Sequence, residues 1–292
     1  MTQERSVAVI VNPAAGKGRA KRYAEQVQAA MPFAEVCFTE RPGHATELAK
    51  AAAERGVEIA AALGGDGTVR ETAAGLFGSN TALGVLPLGS GNDFARALKI
   101  PLQLDKALDA LLNAEFRPID VGEDADGLFV CMSGVGFASE VTRNAANARL
   151  FRGPAAYAYG VVKALLQMRP VPMRLHLDGE TREMEALFVL AQNIPYCGGG
   201  QLMAPNALIN DGKLDVVVVE PVGRLELLRI FPRVYSGRHI EHPACHVFRS
   251  SVVRIESEMP MLKLLDGDLI GEAPLDSRIH SQALRAAAPS SS

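Results

Sequence analysis

The chain is short of several features that would assign it a function class. No window approaches the roughly 18 consecutive apolar residues a spanning helix needs, so any membrane contact is expected to be peripheral. Cysteine is scarce: Cys37, Cys131, Cys197 and Cys245 form no Cys-x-x-Cys pair and no short disulfide-type spacing, as expected of buried thiols in a reducing cytosol. Basic excess is missing too, with 30 Lys and Arg against 33 Asp and Glu and a net charge of −3, which argues against a general nucleic-acid binder. The polar start Met1–Ser6 and the short run Val7–Val11 lack the apolar core of an export signal, and the expected location is cytoplasmic. No Gly-x-Ser-x-Gly elbow or His-Glu-x-x-His pair supports a hydrolase or metalloprotease. Lys17 lacks the opening Gly several positions earlier and the Ser/Thr immediately after that a Walker loop requires, and no Gly-x-Gly-x-x-Gly opens a helix. His239, His242, Cys245 and His246 invite a zinc reading, but Pro243 breaks any helix that would align His242 with His246, and the segment reads as a loop.

What is present fits two lobes, since 292 residues exceed the usual span of one domain. Short β-branched or apolar runs at Val7–Val11, Ala34–Thr39, Glu58–Leu63 and Leu83–Leu86 alternate with helical stretches at Arg19–Met31, Ala45–Arg55 and Thr68–Phe77. Further helices are expected at Asp93–Leu98 and Leu104–Asn113. This is the rhythm of a parallel α/β sheet. From about Arg117 the texture changes to strand pairs joined by turn dipeptides: Asp126-Gly127 between Ile119–Val121 and Leu128–Met132, and Asp178-Gly179 between Arg174–Leu177 and Glu183–Val189. One helical segment, Glu140–Met168, interrupts this half, which closes through Leu214–Val219, Val252–Ile255 and Met261–Leu265. The expected domains are residues 1–118, with 277–292 returning to them, and 119–276. The Ala/Pro/Ser tail after Arg285 reads as frayed.

The strongest motif is Gly64-Gly65-Asp66-Gly67-Thr68, where a buried strand gives way to a helix. Its glycines let backbone approach a bulky anion, and the helix start points free N–H groups at it. Asp66 in such a loop would repel a bare triphosphate, so a divalent cation, Mg²⁺, is expected between them. Two similar junctions, Asn12-Pro13-Ala14-Ala15-Gly16-Lys17-Gly18 and Gly89-Ser90-Gly91-Asn92-Asp93-Phe94, follow other strands of the same lobe, and in a parallel sheet all three fall along one edge.

Together these motifs resemble the diacylglycerol kinase catalytic domain family, shared by bacterial lipid kinases, sphingosine kinases and ceramide kinases. The resemblance runs on through Cys197–Gly200, Ala204-Pro205 and Asn210–Asp215 to Leu265-Asp266-Gly267-Asp268, where the family usually reads Asp-Gly-Glu. It implies a phosphofructokinase- or NAD-kinase-like N-terminal lobe, a mainly antiparallel β-sandwich-like C-terminal lobe, and an ATP-dependent lipid kinase with its active site in the cleft between lobes. It implies ATP at Asn12, Lys17, Thr39, Gly64–Thr68, Ser90 and Asn92, and Asp266 and Asp268 as the acid–base centre, with Asp266 the first choice for the base. Asp66, Asp93 and Asp120 are candidates for the catalytic metal network, although Asp120 reads equally as structural. A structural Mg²⁺ at Asp211 and the carbonyls of Leu208 and Lys213 follows from the resemblance alone. Ser90 for the usual Thr keeps the hydroxyl, whereas Asp268 is one methylene shorter than the usual Glu. Alternatives are a soluble NAD kinase and a nucleotide- or lipid-binding regulator without turnover.

From Val141 to Leu177 the chain has six basic residues and no Asp or Glu, beside apolar and aromatic ones. Arg149, Phe151, Arg152 and Tyr157 are expected on a peripheral surface at the inner face of the membrane. The same stretch reads also as a helix packed on the second lobe with solvated arginines. Edge strands in the second lobe leave room for a homodimer. The identity of the acceptor lipid lies beyond the motifs.

Overall fold

The computed structural model describes residues 5–148, 154–272 and 274–290, which form two compact units. The first takes the chain up to Val121, Gly198–Gly200, and the segment from Ser281 onward. The second takes Gly122–Cys197 and Gln201–His280.

In the first unit, strands β1 (Val7–Val11), β2 (Glu35–Phe38), β3 (Ile59–Gly64) and β4 (Ala82–Pro87) alternate with helices α1 (Ala20–Ala30), α2 (His44–Glu54) and α3 (Asp66–Leu76). Helices α4 (Asp93–Ala97) and α5 (Leu104–Leu112) follow. The strands pair in parallel in the order β2-β1-β3-β4. β1, β3 and β4 are buried at every position, which is why they read as continuous apolar runs rather than as alternation. Because the pairing is parallel, the turns after β1, β3 and β4 all emerge at carboxyl ends.

The chain leaves through β5 (Glu115–Asp124), which forms a hairpin with β6 (Gly127–Phe129). The second unit continues with β7 (Met132–Gly136), α6 (Phe137–Ala146), α7 (Pro154–Gln167), β8 (Val171–Leu177), β9 (Glu180–Ala186) and β10 (Phe188–Gln192). Two short strands, β11 (Tyr196–Cys197) and β12 (Gln201–Leu202), precede β13 (Leu214–Val219), α8 (Arg224–Ile230), β14 (Cys245–Ser250), β15 (Val252–Glu256), β16 (Leu262–Leu265) and β17 (Asp268–Glu272). The last strand, β18 (Leu275–Ala288), begins in the second unit and ends in the first.

Two antiparallel layers make the second unit. One joins the start of β18 to β15, β8 and β9; the other has the order β14-β13-β10-β7-β16-β17. Alternate residues of both, including Leu175, Val189, Val216, Val253 and Leu265, meet in one apolar core, as expected of a sandwich. The β8–β9 turn places Asp178 and Gly179 at φ 46° and 92°, the left-handed pair that a two-residue hairpin requires.

Three sequence expectations change. The single helix over Glu140–Met168 is two helices, and α7 begins at Pro154, where a missing N–H costs nothing. The strand Leu128–Met132 is broken between Phe129 and Met132, because the Val130, Cys131 and Met132 N–H groups all turn to the Asp266 carboxylate. The tail is not frayed at Ala286–Ala288: these small side chains are buried, and Ala286 pairs in parallel with Leu83 of β4.

Candidate active site

In the first unit the β1, β3 and β4 turns interlock. Asn12 donates from Nδ2 to Thr68 Oγ1 at 3.2 Å and accepts the Ala14 N–H on Oδ1, which joins the β1 turn to the start of α3. Asp66 Oδ2 accepts the Asn92 N–H at 2.8 Å and Oδ1 the Phe94 N–H at 3.2 Å, which joins the β3 and β4 turns. Asn92, at φ 54°, closes its own loop by accepting the Gly89 N–H and donating to the Gly89 carbonyl. At Gly65 and Gly89 the two loops touch backbone to backbone: a Cβ on Gly89 would stand 2.6 Å from Gly65 Cα. Glycine is therefore required there by proximity rather than by φ.

Around these turns lies a cavity of about 1090 Å³, lined by Asn12, Lys17, Thr39, Gly65, Gly67, Thr68 and Ser90 among others. α3 enters it with N–H groups that have no partner within the helix, a ready anion site. Lys17 and Arg19 add positive charge to the lining. Sequence reading missed Arg19, Arg41 and Glu71 of the lining. Glu71 accepts the Gly43 and Ala45 N–H groups and so caps α2 beside the cavity; only its place one turn into α3 hinted at this. His44 Nδ1 accepts the Glu40 N–H at the start of α2.

Asp93 is buried and accepts the Gly199 N–H at 2.9 Å and the Gly200 N–H at 2.6 Å, which ties Gly198–Gly200 into the first unit. Burial, and then the negative charge of Asp93, hold the Asp66 carboxyl above its usual range against the backbone donors that favour its charge. Asp120 is fully buried and accepts the Gln282 N–H at 2.7 Å, where β18 passes through φ 51°.

The Asp266-Gly267-Asp268 turn belongs to the second unit. Asp266, at φ 49° and only 9% exposed, accepts Val130 N–H on Oδ2 at 2.8 Å and Cys131 and Met132 N–H on Oδ1 at 2.7 and 2.8 Å. Asp268, two residues on at the start of β17, is exposed. The Asp266 carboxylate holds the turn, whereas Asp268 is an exposed residue.

Residues 6–123 match the family model of the diacylglycerol kinase catalytic domain, and residues 131–288 that of the YegS C-terminal NAD kinase beta sandwich-like domain. The chain belongs to the diacylglycerol kinase family. The diacylglycerol kinase of Bacillus subtilis (strain 168) is 31% identical over 276 residues, covering 91% of this chain and 90% of its own. That of Mycobacterium tuberculosis (strain ATCC 25618 / H37Rv) is 32% identical over 296 residues, covering 97% and 95%. A crystal structure of a candidate diacylglycerol kinase from Bacillus anthracis str. Sterne superposes with a TM-score of 0.82 at 26% identity, over 99% of this chain and 98% of that one. Membership of the diacylglycerol kinase family makes the chain an ATP-dependent phosphotransferase with an alcohol acceptor.

The family implies ATP and a divalent cation. Asp66 and Asp93 are close enough for the charge of Asp93 to raise the Asp66 carboxyl, a repulsion that a hard cation with oxygen ligands would relieve; each of their four oxygens already accepts a backbone N–H, so a cation there would use the remaining lone pairs. At Asp211 the fit is contested from within the chain. Its Oδ1 accepts the Lys213 N–H, and its Oδ2 pairs with Arg249, which also lies 3.8 Å from Asp215. Asp215 Oδ2 is buried without a hydrogen-bond partner, and burial, then Asp211, raises its carboxyl against the pull of Arg249. A metal ion at Asp211 would have to displace the Arg249 guanidinium.

Among the described residues no group of three or more His, Cys, Asp or Glu is arranged around a metal. His239 pairs with the Met203 carbonyl, His242 with Glu226 and His246 with Glu220. Arg149, Phe151 and Arg152 lie outside the described residues. Tyr157 falls within α7.

Proposed function

We propose that this diacylglycerol kinase family member phosphorylates a hydroxyl of a membrane lipid such as diacylglycerol, drawing on MgATP and working as a peripheral protein at the inner face of the membrane. The observation that carries this reading is the match over nine-tenths or more of both chains to proteins named diacylglycerol kinase. The geometry supports it. The α3 N-terminus offers N–H groups to the phosphates, Lys17 and Arg19 offset their charge, and the Asp66–Asn92 and Asp66–Phe94 bonds hold the β3 and β4 turns around them. Mg²⁺ bound at Asp66 and Asp93 would neutralise charge on the transferred group.

A lipid hydroxyl is a weak nucleophile, and the protein's task is to place it and take its proton. Asp268 takes that proton, because it is exposed, while Asp266 spends its carboxylate on three backbone N–H groups and positions the turn. This reverses the first choice drawn from sequence. Mg²⁺-dependent ADP release against mixed micelles of diacylglycerol, phosphatidylglycerol, a sphingoid base or a ceramide tests the reading, with NAD as a soluble control. Turnover stimulated by one of the lipids and lost in Asp66→Ala is expected. Turnover with NAD alone, or ATP binding without turnover, would sink it.

A further inference from the structure

Helix α7 exposes more large apolar side chains than it buries. It approaches α6 through a small residue, since Gly160 is buried and a Cβ there would stand 2.6 Å from the Val141 carbonyl oxygen of α6, and it buries Ala164 and Leu165. Three more of its large side chains face out, with Val162 57% and Leu166 66% exposed and Tyr159 exposed as well. With Ala155 and Ala158 these lie at helical spacing on a solvent-facing stripe that carries no acid.

Helix α8 extends the stripe. Arg224 donates from Nε to the Leu165 carbonyl at 3.0 Å and from Nη2 to the Leu166 carbonyl at 3.1 Å, capping the last turn of α7 with a cation. That contact brings the start of α8 to the end of α7. α8 buries Leu227 and Ile230 but leaves Leu225 72% and Leu228 48% exposed. Exposed leucines on both helices therefore lie within a few residues of one pair of hydrogen bonds.

We propose that the α7–α8 ridge is the surface by which this protein docks on an anionic lipid leaflet, with Val162, Leu166, Leu225 and Leu228 entering the acyl boundary. The inference rests on the lipid-acceptor reading above. Charge selects the occupant. Lys163, 5.8 Å above the Tyr159 ring, and the exposed Arg169, Arg224 and Arg229 surround the ridge. Glu226, the one acid on α8, pairs with His242. A second copy meeting this face by two-fold symmetry would set these cations against one another. A leaflet bearing negative headgroups instead attracts each of them while its acyl boundary covers the leucines.

The test is flotation with phosphatidylcholine vesicles made with and without phosphatidylglycerol, using wild type, Leu166→Gln/Leu225→Gln, Lys163→Glu/Arg229→Glu, and Leu112→Gln as a control leucine exposed in the first unit. The same preparations are assayed for ADP release on a water-soluble short-chain diacylglycerol. The leucine pair is expected to weaken vesicle binding at least tenfold, and the charge pair to do so only with phosphatidylglycerol present. Leu112→Gln should match wild type, and turnover of the soluble acceptor and the melting temperature should hold throughout. Vesicle binding unchanged in both pair variants overturns the proposal, as does a wild type that does not bind vesicles. A change from dimer to monomer in the leucine pair with vesicle binding retained also overturns it, by making a second copy the occupant. If no lipid is phosphorylated even by wild type while the variants still lose vesicle binding, the surface stands and the lipid-kinase reading falls.

Discussion

Asp266→Ala should destabilise the second unit before it teaches anything about catalysis. The substitution leaves the Val130, Cys131 and Met132 N–H groups without the acceptor they share at 2.7–2.8 Å. An unsatisfied buried donor costs about 1–3 kcal/mol, and with water reaching part of the site the three together come to about 3–6 kcal/mol. That is a large share of ordinary domain stability. At roughly 2–4 °C per kcal/mol for a unit of this size, the melting temperature should fall by at least about 6 °C. Asp268→Ala removes an exposed side chain and should cost much less stability than Asp266→Ala. Its turnover should fall by about 10²–10⁴, the usual contribution of a positioned general base. Thermal unfolding and ADP release measured on the same samples separate the two roles. An Asp266→Ala protein that melts like wild type, or an Asp268→Ala protein that turns over at the wild-type rate, would refute the division.

Gly89→Ala sets a Cβ 2.6 Å from Gly65 Cα, with no flexible side chain to yield, so the KM for ATP should rise at least tenfold; unchanged ATP kinetics would show the loop contact to be dispensable. Arg249→Met leaves Asp211 and the buried Asp215 without their cation, so its melting temperature should drop and recover in part with Mg²⁺, whereas wild type without ATP should ignore Mg²⁺. A variant whose melting is blind to Mg²⁺ would show that Arg249 does not stand in a cation's place. Asp178 is exposed, and what desolvation its partners impose raises its carboxyl, but Lys213 and the Ser251 and Val252 donors outweigh this and hold it well below the ordinary range. A depressed carboxyl stabilises the fold above about pH 4 and loses that contribution as pH falls further. The stability gap between wild type and Asp178→Asn should therefore be present at neutral pH and close below about pH 4, and a gap independent of pH would contradict the assignment.

The first unit was largely legible because its signals are local. β1, β3 and β4 are buried on both faces and so appear as apolar runs, and the turns that carry the glycines sit at the ends of those runs. What stayed hidden depends on partners far away in sequence. Nothing near Asp93 announces that Gly199 and Gly200 cap it from more than a hundred residues on, and nothing near Val130 announces Asp266. The tail Ala286–Ala288 read as low complexity because small size was mistaken for the absence of a partner, whereas it suits a strand lying against β4. In α7 both faces are apolar, so periodicity alone could not say which one is buried; Gly160 and Ala164 decide it by letting α6 approach.

The same ambiguity runs through the acids of the motifs. Asp66, Asp93 and Asp266 all stand in or beside glycine-rich turns, where sequence reading assigns them chemistry, and all three use their carboxylates to gather backbone N–H groups from another loop. Glycine-rich loops expose many amides and contribute no side chains, so an ionised acid is the cheapest acceptor that can hold several of them at once. Loops that must close around phosphates thus need acids for their own architecture before any acid is needed for the reaction. Exposure, rather than membership of a motif, is what distinguishes Asp268 from Asp266, and it is the ground on which the proposed function assigns the one to rate and the other to folding.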